Sequence, residues 1–150
     1  FNVFGRKQDP DGAYAAVIPK FVKCFMQHKS PIINGDGSFS RDFTYIENVI
    51  QMNILCITTK NKDSINQIYN TAVGERTSIL ELAKVLKKHL SNYDSKILDV
   101  DIKFGPNREG DVPHSQACIK KSKRLLGYMP SHKFDEGIKE CVDWYWNNLI

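Results

Sequence analysis

The strongest constraint on the fold is a helical stripe that starts from a built-in cap. Ser78 followed by Glu81 has capping-box spacing, in which each side chain satisfies the other residue's free backbone N–H. Ile79, Leu82, Ala83, Leu86 and Leu90 then fall on one face, and Lys87, Lys88 and His89 close the last turn, where the helix dipole favours cations. A helix with one apolar face must bury it against something, so the rest of the chain has to supply that surface.

The neighbouring segments do so in alternation. Phe1 to Gly5 reads as the end of a buried strand running into a turn, and residues 5–13 form a turn-rich loop. A helix is predicted from about Val17 to His28, with Pro19 in its first turn. Pro31 to Asn34 is extended, Gly35 to Ser38 is a turn, and Phe43 to Ile46 alternates like a strand. Val49 to Thr58 is apolar nearly all round, which predicts a buried helix. Residues 60–66 form a polar loop. Gln67 to Val73 reads as a strand stopped by Gly74, and Asp101 to Phe104 as another. Residues 105–113 are loop. Ile119 to Leu126 is a short basic helix closed by Gly127. Phe134, Ile138, Val142, Tyr145 and Leu149 mark a final amphipathic helix that carries the run Trp144, Tyr145 and Trp146 as packing residues. The expectation is one α/β unit over residues 1–150. Because residue 1 is Phe and falls inside a core strand, the chain is expected to be part of a longer protein.

Composition narrows the function. With 41 % hydrophobic and 25 % charged residues the chain is globular rather than disordered. Its net charge of +4 suits an anionic small ligand and is weak for nucleic acid. No apolar run is long enough for a membrane span. Cys24, Cys56, Cys118 and Cys141 lie 32, 62 and 23 residues apart, so no pair has zinc-ribbon or dithiol spacing, and four reduced thiols in a cytosolic protein are expected. The four histidines share no ligand spacing, and no metal is expected.

Candidate chemistry lies in loops. Gly35-x-Gly37-x-x-Ser40 has Ser in place of a third glycine and runs into an extended segment, so it reads as a turn and not as a dinucleotide fingerprint. Arg41 follows that turn, Arg108 sits in the 107–111 loop, and Asn2 follows a buried strand. A planar guanidinium suits a pyrophosphate through two parallel charge-assisted hydrogen bonds, but spacing alone leaves each Arg open to a solvated surface role. The basic helix around Lys120, Lys121, Lys123 and Arg124 is equally open to a solvated face or to a nucleic-acid-binding module.

Read together, the segments FNVFGRKQ, YAAVIPK, NGDG with RDFTY, IYN with VG, and REGDV resemble the C-terminal half of nucleotide-sugar enzymes of the extended short-chain dehydrogenase/reductase superfamily. The wording is nearest to bacterial UDP-N-acetylglucosamine 4-epimerases that supply surface polysaccharides. The resemblance covers essentially all 150 residues. It implies the substrate-binding part of an NAD-dependent, cytoplasmic and homodimeric enzyme. Such an enzyme passes a hydride from sugar carbon 4 to NAD and back to the other face of the rotated keto sugar. The rivals on the same fold are nucleotide-sugar 4,6-dehydratases and UDP-glucuronate decarboxylases or epimerases. No Tyr here is followed four residues later by Lys, so the family's catalytic pair is absent from this sequence and the chain alone is expected to be inactive, with NAD held mainly by an N-terminal domain.

The resemblance also implies roles. Asn2 would donate to the diphosphate. The segment from Ala15, Ala16 and Val17 to Ile18 would hold the uridine, and Ile32, Ile33 and Asn34 would meet the uracil edge, Asn34 standing where many relatives have an aromatic. Arg41 and Arg108 would clamp the diphosphate, Asp111 would accept from a ribose hydroxyl, and Val73 would pack near the base. Phe1 would approach the nicotinamide end of NAD. Ser115 would border the hexose pocket, where a large Tyr goes with non-acetylated sugars and a small Ser or Cys with admission of the N-acetyl group.

Overall fold

The structure is a computed structural model that describes residues 2–12 and 16–149. Three helices form its centre. α1 (Val17–Met26), α3 (Ile79–Leu90) and α5 (Phe134–Asn148) pack on one another around β1 (Asn2–Phe4) and β4 (Phe43–Tyr45). Leu82, Ala83, Leu86 and Leu90 of α3 are completely buried, as the stripe requires. They meet Ile18, Val22 and Phe25 of α1 and Ile138, Val142 and Tyr145 of α5. Each such apolar side chain contributes about 1.5–3 kcal/mol by leaving water. Half of the capping box forms: Ser78 Oγ accepts from Glu81 N at 3.1 Å. A second cap appears at α5, where Glu136 accepts from Lys133 N at 2.8 Å.

α1 ends two residues before the predicted His28. His28 takes a left-handed φ of 52°, and its N–H and that of Lys29 turn back onto Phe25 O and Cys24 O, which closes the last turn.

The strands are short and paired in twos. β1 lies parallel to β4, with Asn2 opposite Phe43. β2 (Ile32–Asn34) lies parallel to β6 (Lys103–Gly105), and β3 (Ser40–Arg41) runs antiparallel to β5 (Thr77–Ser78). α4 (Lys120–Leu126) closes on Gly127 at a φ of 66°, as predicted. The fold is α/β.

Two sequence expectations fail. α2 (Ile46–Thr58) is not buried: Ile50, Ile54 and Ile57 are 43 %, 54 % and 83 % exposed. Its buried residues are Asn48 and Met52, and Met52, with Leu55 beside it, meets the second apolar cluster with Ala72, Ala117, Leu126 and Tyr128. All-round apolarity shows that a helix can be covered on every side, not that these residues cover it. Residues 67–73 form no strand. Their backbone groups are met by side chains instead: Tyr128 OH donates to Ala72 O at 2.9 Å and Ser122 Oγ to Asn70 O at 2.7 Å. The N–H groups of Val73 and Gly74 go to the Asp42 carboxylate. With its polar groups satisfied this way the segment needs no ladder.

The four cysteines are free thiols. Cys56 and Cys118 are exposed, Cys24 is half-buried and Cys141 is buried, and burial pushes the Cys141 thiol up to about 12. Among the described residues no helix is long and apolar enough to cross a membrane, and no group of His, Cys, Asp and Glu is arranged to hold a metal ion.

Candidate functional site

A cleft of about 420 Å³ opens where β1, α1, β2 and β3 converge, roofed by the 105–113 loop. Each wall has a local cause. β1 ends in Phe4, buried at 1 %, and this anchor leaves Asn2 exposed on the cleft. α1 is preceded by Ala16 at its N-cap, with no side-chain cap, so its first N–H groups, at Val17 and Ile18, receive none; both residues line the cleft, and Pro19 has no N–H to offer. β2 alternates: Ile33 is buried at 1 %, while Ile32 and Asn34 are exposed toward the same space.

The turn between β2 and β3 fixes the next wall. Gly37 sits at a φ of 81°, and a Cβ there would come within 2.9 Å of Leu80 Cβ, so glycine is required on both counts. Ser38 N donates to Asp36 Oδ1 at 2.9 Å, and Ser38 holds the Asp36 carboxyl below its usual range. The chain then extends, and Phe39 and Arg41 face the cleft while Ser40 and Asp42 point away.

Arg41 is aimed rather than loose. Its guanidinium donates to Ser40 O at 2.9 Å and Pro113 O at 3.3 Å. The remaining N–H groups of the fork are left for an anion. Arg108 and Asp111 close one tight turn, with Asp111 N donating to Arg108 O at 3.3 Å and Gly110 at a φ of 81°. Among the described residues neither Arg41 nor Arg108 forms an ion pair with a carboxylate. Two guanidiniums without a carboxylate partner among the described residues, in one cleft with an amide and a helix N-terminus, are a donor set that suits an anion.

The cleft therefore brings together Asn2, Ala16, Val17, Ile32, Ile33, Asn34, Arg41, Arg108 and Asp111. Phe1 and Ala15 lie outside the described residues. Val73 is elsewhere: it is buried, gives its N–H to Asp42, and lines a separate open concavity of about 440 Å³ with Gly74, Gln116 and Cys118. Ser115 is not among the lining residues. It is half-buried one strand away, its N–H donating to Ser40 O at 3.0 Å, beside the bond between Ser40 Oγ and His114 Nδ1 at 2.9 Å.

Sequence reasoning missed Lys20, Phe39 and Ile79, which line the same cleft. Phe39 carried a signal: it stands two residues before Arg41 in an extended segment, so both had to share a face. Asp42 was missed as an organiser. Its carboxylate is completely buried and accepts from Val73 N at 3.1 Å, Gly74 N at 2.9 Å and Ala117 N at 3.3 Å.

The described residues do not fit a dinucleotide. Among them no glycine-rich turn leads from a strand into a helix: the Gly35 to Ser38 turn runs into β3. No step through NAD follows from these residues.

Comparison with known proteins places the chain. Residues 1–72 match the model of the NAD dependent epimerase/dehydratase family. A UDP-N-acetylglucosamine 4-epimerase from Methanobrevibacter ruminantium M1, in complex with UDP-N-acetylmuramic acid, is 36 % identical with a TM-score of 0.84, covering 98 % of this chain and 44 % of that one. A UDP-glucose 4-epimerase from Thermotoga maritima, with UDP-glucose, is 31 % identical with a TM-score of 0.85, covering 99 % of this chain and 45 % of that one. The UDP-N-acetyl-alpha-D-glucosaminuronate decarboxylase of Bacillus cytotoxicus is 29 % identical over 97 % of this chain and 44 % of its own length. The chain thus spans less than half the length of the relatives it matches.

Proposed function

The chain belongs to the NAD dependent epimerase/dehydratase family, and from that premise we propose that it is the UDP-sugar-binding part of an NAD-dependent UDP-hexose 4-epimerase that acts on UDP-N-acetylglucosamine. The observation that carries the reading is the pair Arg41 and Arg108 facing one cleft without carboxylate partners among the described residues, with Asn2 and the α1 N-terminus beside them. In this reading the guanidiniums and the Asn2 amide grip the diphosphate, Asp111 accepts from a ribose hydroxyl, and Ala16, Val17 and the end of β2 hold the uridine. Anchoring the substrate by this handle leaves the hexose free to present either face, which is what a 4-epimerase needs. The likeness to the Methanobrevibacter ruminantium UDP-N-acetylglucosamine 4-epimerase supports the N-acetylated substrate. The product is a precursor for surface polysaccharide. The hydride chemistry belongs to NAD and to residues outside this sequence, so the 150 residues alone are inactive.

The test is a titration of the full-length protein with UDP, followed by assay with UDP-N-acetylglucosamine and UDP-glucose. The reading requires UDP binding and interconversion at sugar carbon 4. Turnover by the isolated 150 residues with added NAD would show that the chemistry had been misplaced. A second reading, a decarboxylase of UDP-uronic acids, is favoured by the likeness to the Bacillus cytotoxicus protein. Release of carbon dioxide from a UDP-uronate, with no change at carbon 4, would select it.

A further inference from the structure

The Phe39 ring stands apart from the apolar core. It is half-buried, belongs to neither apolar cluster, and stacks on no aromatic ring among the described residues. Yet its position is fixed. Its carbonyl accepts from Ile79 N at 2.9 Å, and the next residue pairs with Ser78 across β3 and β5 and gives its N–H to Pro113 O at 2.9 Å. A large ring outside both apolar clusters, on a pinned backbone and facing a cleft, is a surface on which a ligand can rest.

The spacing says what. Alternation along the extended segment puts Phe39 and Arg41 on one face, about 6.5 Å apart along the strand. Arg41, aimed by two backbone carbonyls, receives an anion. A ligand with a charged group at Arg41 and a flat apolar face one short spacer away would cover both residues, which describes a nucleoside diphosphate. The other rings on the cleft cannot serve: Phe4, Phe21 and Phe43 are 1 %, 6 % and 3 % exposed and committed to the core, and Asn34 offers an amide, not a ring.

We propose that Phe39 is the aromatic platform on which the base of the nucleotide stacks, and so the residue that separates nucleoside diphosphates from bare pyrophosphate at this cleft. The inference rests on the nucleotide-sugar reading above and adds a specificity-determining residue to it. Base–aromatic stacking is sequence-tolerant because every base has a π-face, so Phe39 supplies affinity and Asn34 is left to read the base edge.

The experiment titrates the full-length protein and its Phe39→Ala, Phe39→Leu and Phe39→Tyr variants with UDP and with inorganic pyrophosphate. Wild type should bind UDP more tightly than pyrophosphate. Phe39→Ala should lose about tenfold in UDP affinity and keep its pyrophosphate affinity, and Phe39→Tyr should match wild type to within about twofold. Phe39→Leu keeps bulk without a ring and carries the same comparison should the Ala variant melt early. UDP affinity unchanged in both Ala and Leu variants overturns the proposal. So does an equal loss on UDP and pyrophosphate, which would show that Phe39 acts only by placing Arg41. Wild-type protein that binds neither probe would bring down the nucleotide-sugar reading as well.

Discussion

The buried carboxylate of Asp42 accepts the backbone N–H of Gly74 at 2.9 Å. It also takes the N–H groups of Val73 and Ala117, so one side chain ties three distant segments together. Its neighbour Arg41 points the opposite way, into the cleft. The Arg-Asp pair therefore divides the work: one residue meets the ligand, the other holds in place the strand that aims it.

Asp42→Asn should destabilise the protein by about 2–3 kcal/mol, because the amide carries one acceptor oxygen and presents N–H groups to backbone donors already in place. Denaturant unfolding of the full-length protein measures this. Stability equal to wild type would show that the three N–H groups find other partners at little cost.

Arg41→Ala should weaken UDP binding by about 2 kcal/mol, roughly thirtyfold, since a preorganised charge-assisted contact is lost. Arg41→Lys should restore only part of it, because an ammonium cannot reproduce the fork held by Ser40 O and Pro113 O. Arg108 is exposed on its turn, so Arg108→Ala should cost less and its effect should shrink in salt. Calorimetry with UDP at two ionic strengths separates the two. Wild-type affinity in both Ala variants would remove the diphosphate role.

Elements whose periodicity reflects their own burial were legible in the sequence. The stripes of α1, α3 and α5 describe faces that turn toward one another, so the pattern and the packing are the same fact. Residues 67–73 misled because the pattern cannot show who satisfies the backbone. Ile68 is 88 % exposed, and Asp42, Ser122 and Tyr128 do the work of a partner strand from 30 to 60 positions away. The site was legible in part. Arg41, Arg108 and Asn2 stand out as polar residues in loops, and their convergence depends on three separate strand pairings that no local pattern encodes. Val73 and Ser115 were placed by resemblance and lie off the cleft.

Gly137 sits inside α5, where alanine ordinarily favours a helix by about 1 kcal/mol. Here a Cβ would come within 2.7 Å of Tyr45 Cβ and 3.0 Å of Phe4 Cζ, both fully committed to the core. Gly137→Ala should therefore destabilise by about 1–3 kcal/mol despite the better propensity. A rise in melting temperature would mean that α5 can shift away from β1 and β4 freely.

Thiol chemistry should sort the cysteines by burial. Cys56 and Cys118 should react with an aromatic disulfide within seconds to minutes under native conditions, and Cys141 only on unfolding, since its thiol titrates at about 12. Rapid labelling of Cys141 in the native protein would contradict the packing of α5.

Alkaline pH should unfold the protein by a mechanism that can be traced to particular groups. Burial raises Tyr45, Tyr128 and Cys141 to about 12 and pushes Tyr145 up further. In the unfolded chain the same groups return toward 10.0 for tyrosine and 9.0 for cysteine. Between pH 9 and 12 the unfolded state has therefore released protons that the folded state still holds. Fewer protons bound in the unfolded state means that stability falls as pH rises through this window, and below it these groups add no slope. Tyr145→Phe isolates one contributor. It deletes the bond from Tyr145 OH to Gly5 O at 2.9 Å, which should cost about 1 kcal/mol at neutral pH. It also removes one group from the titration, so the variant should lose stability less steeply above pH 9 and its curve should draw toward that of wild type. Urea midpoints measured from pH 7 to 11 decide the matter: a flat wild-type profile above 9, or parallel profiles for the two proteins, would show that Tyr145 is not held protonated by its burial.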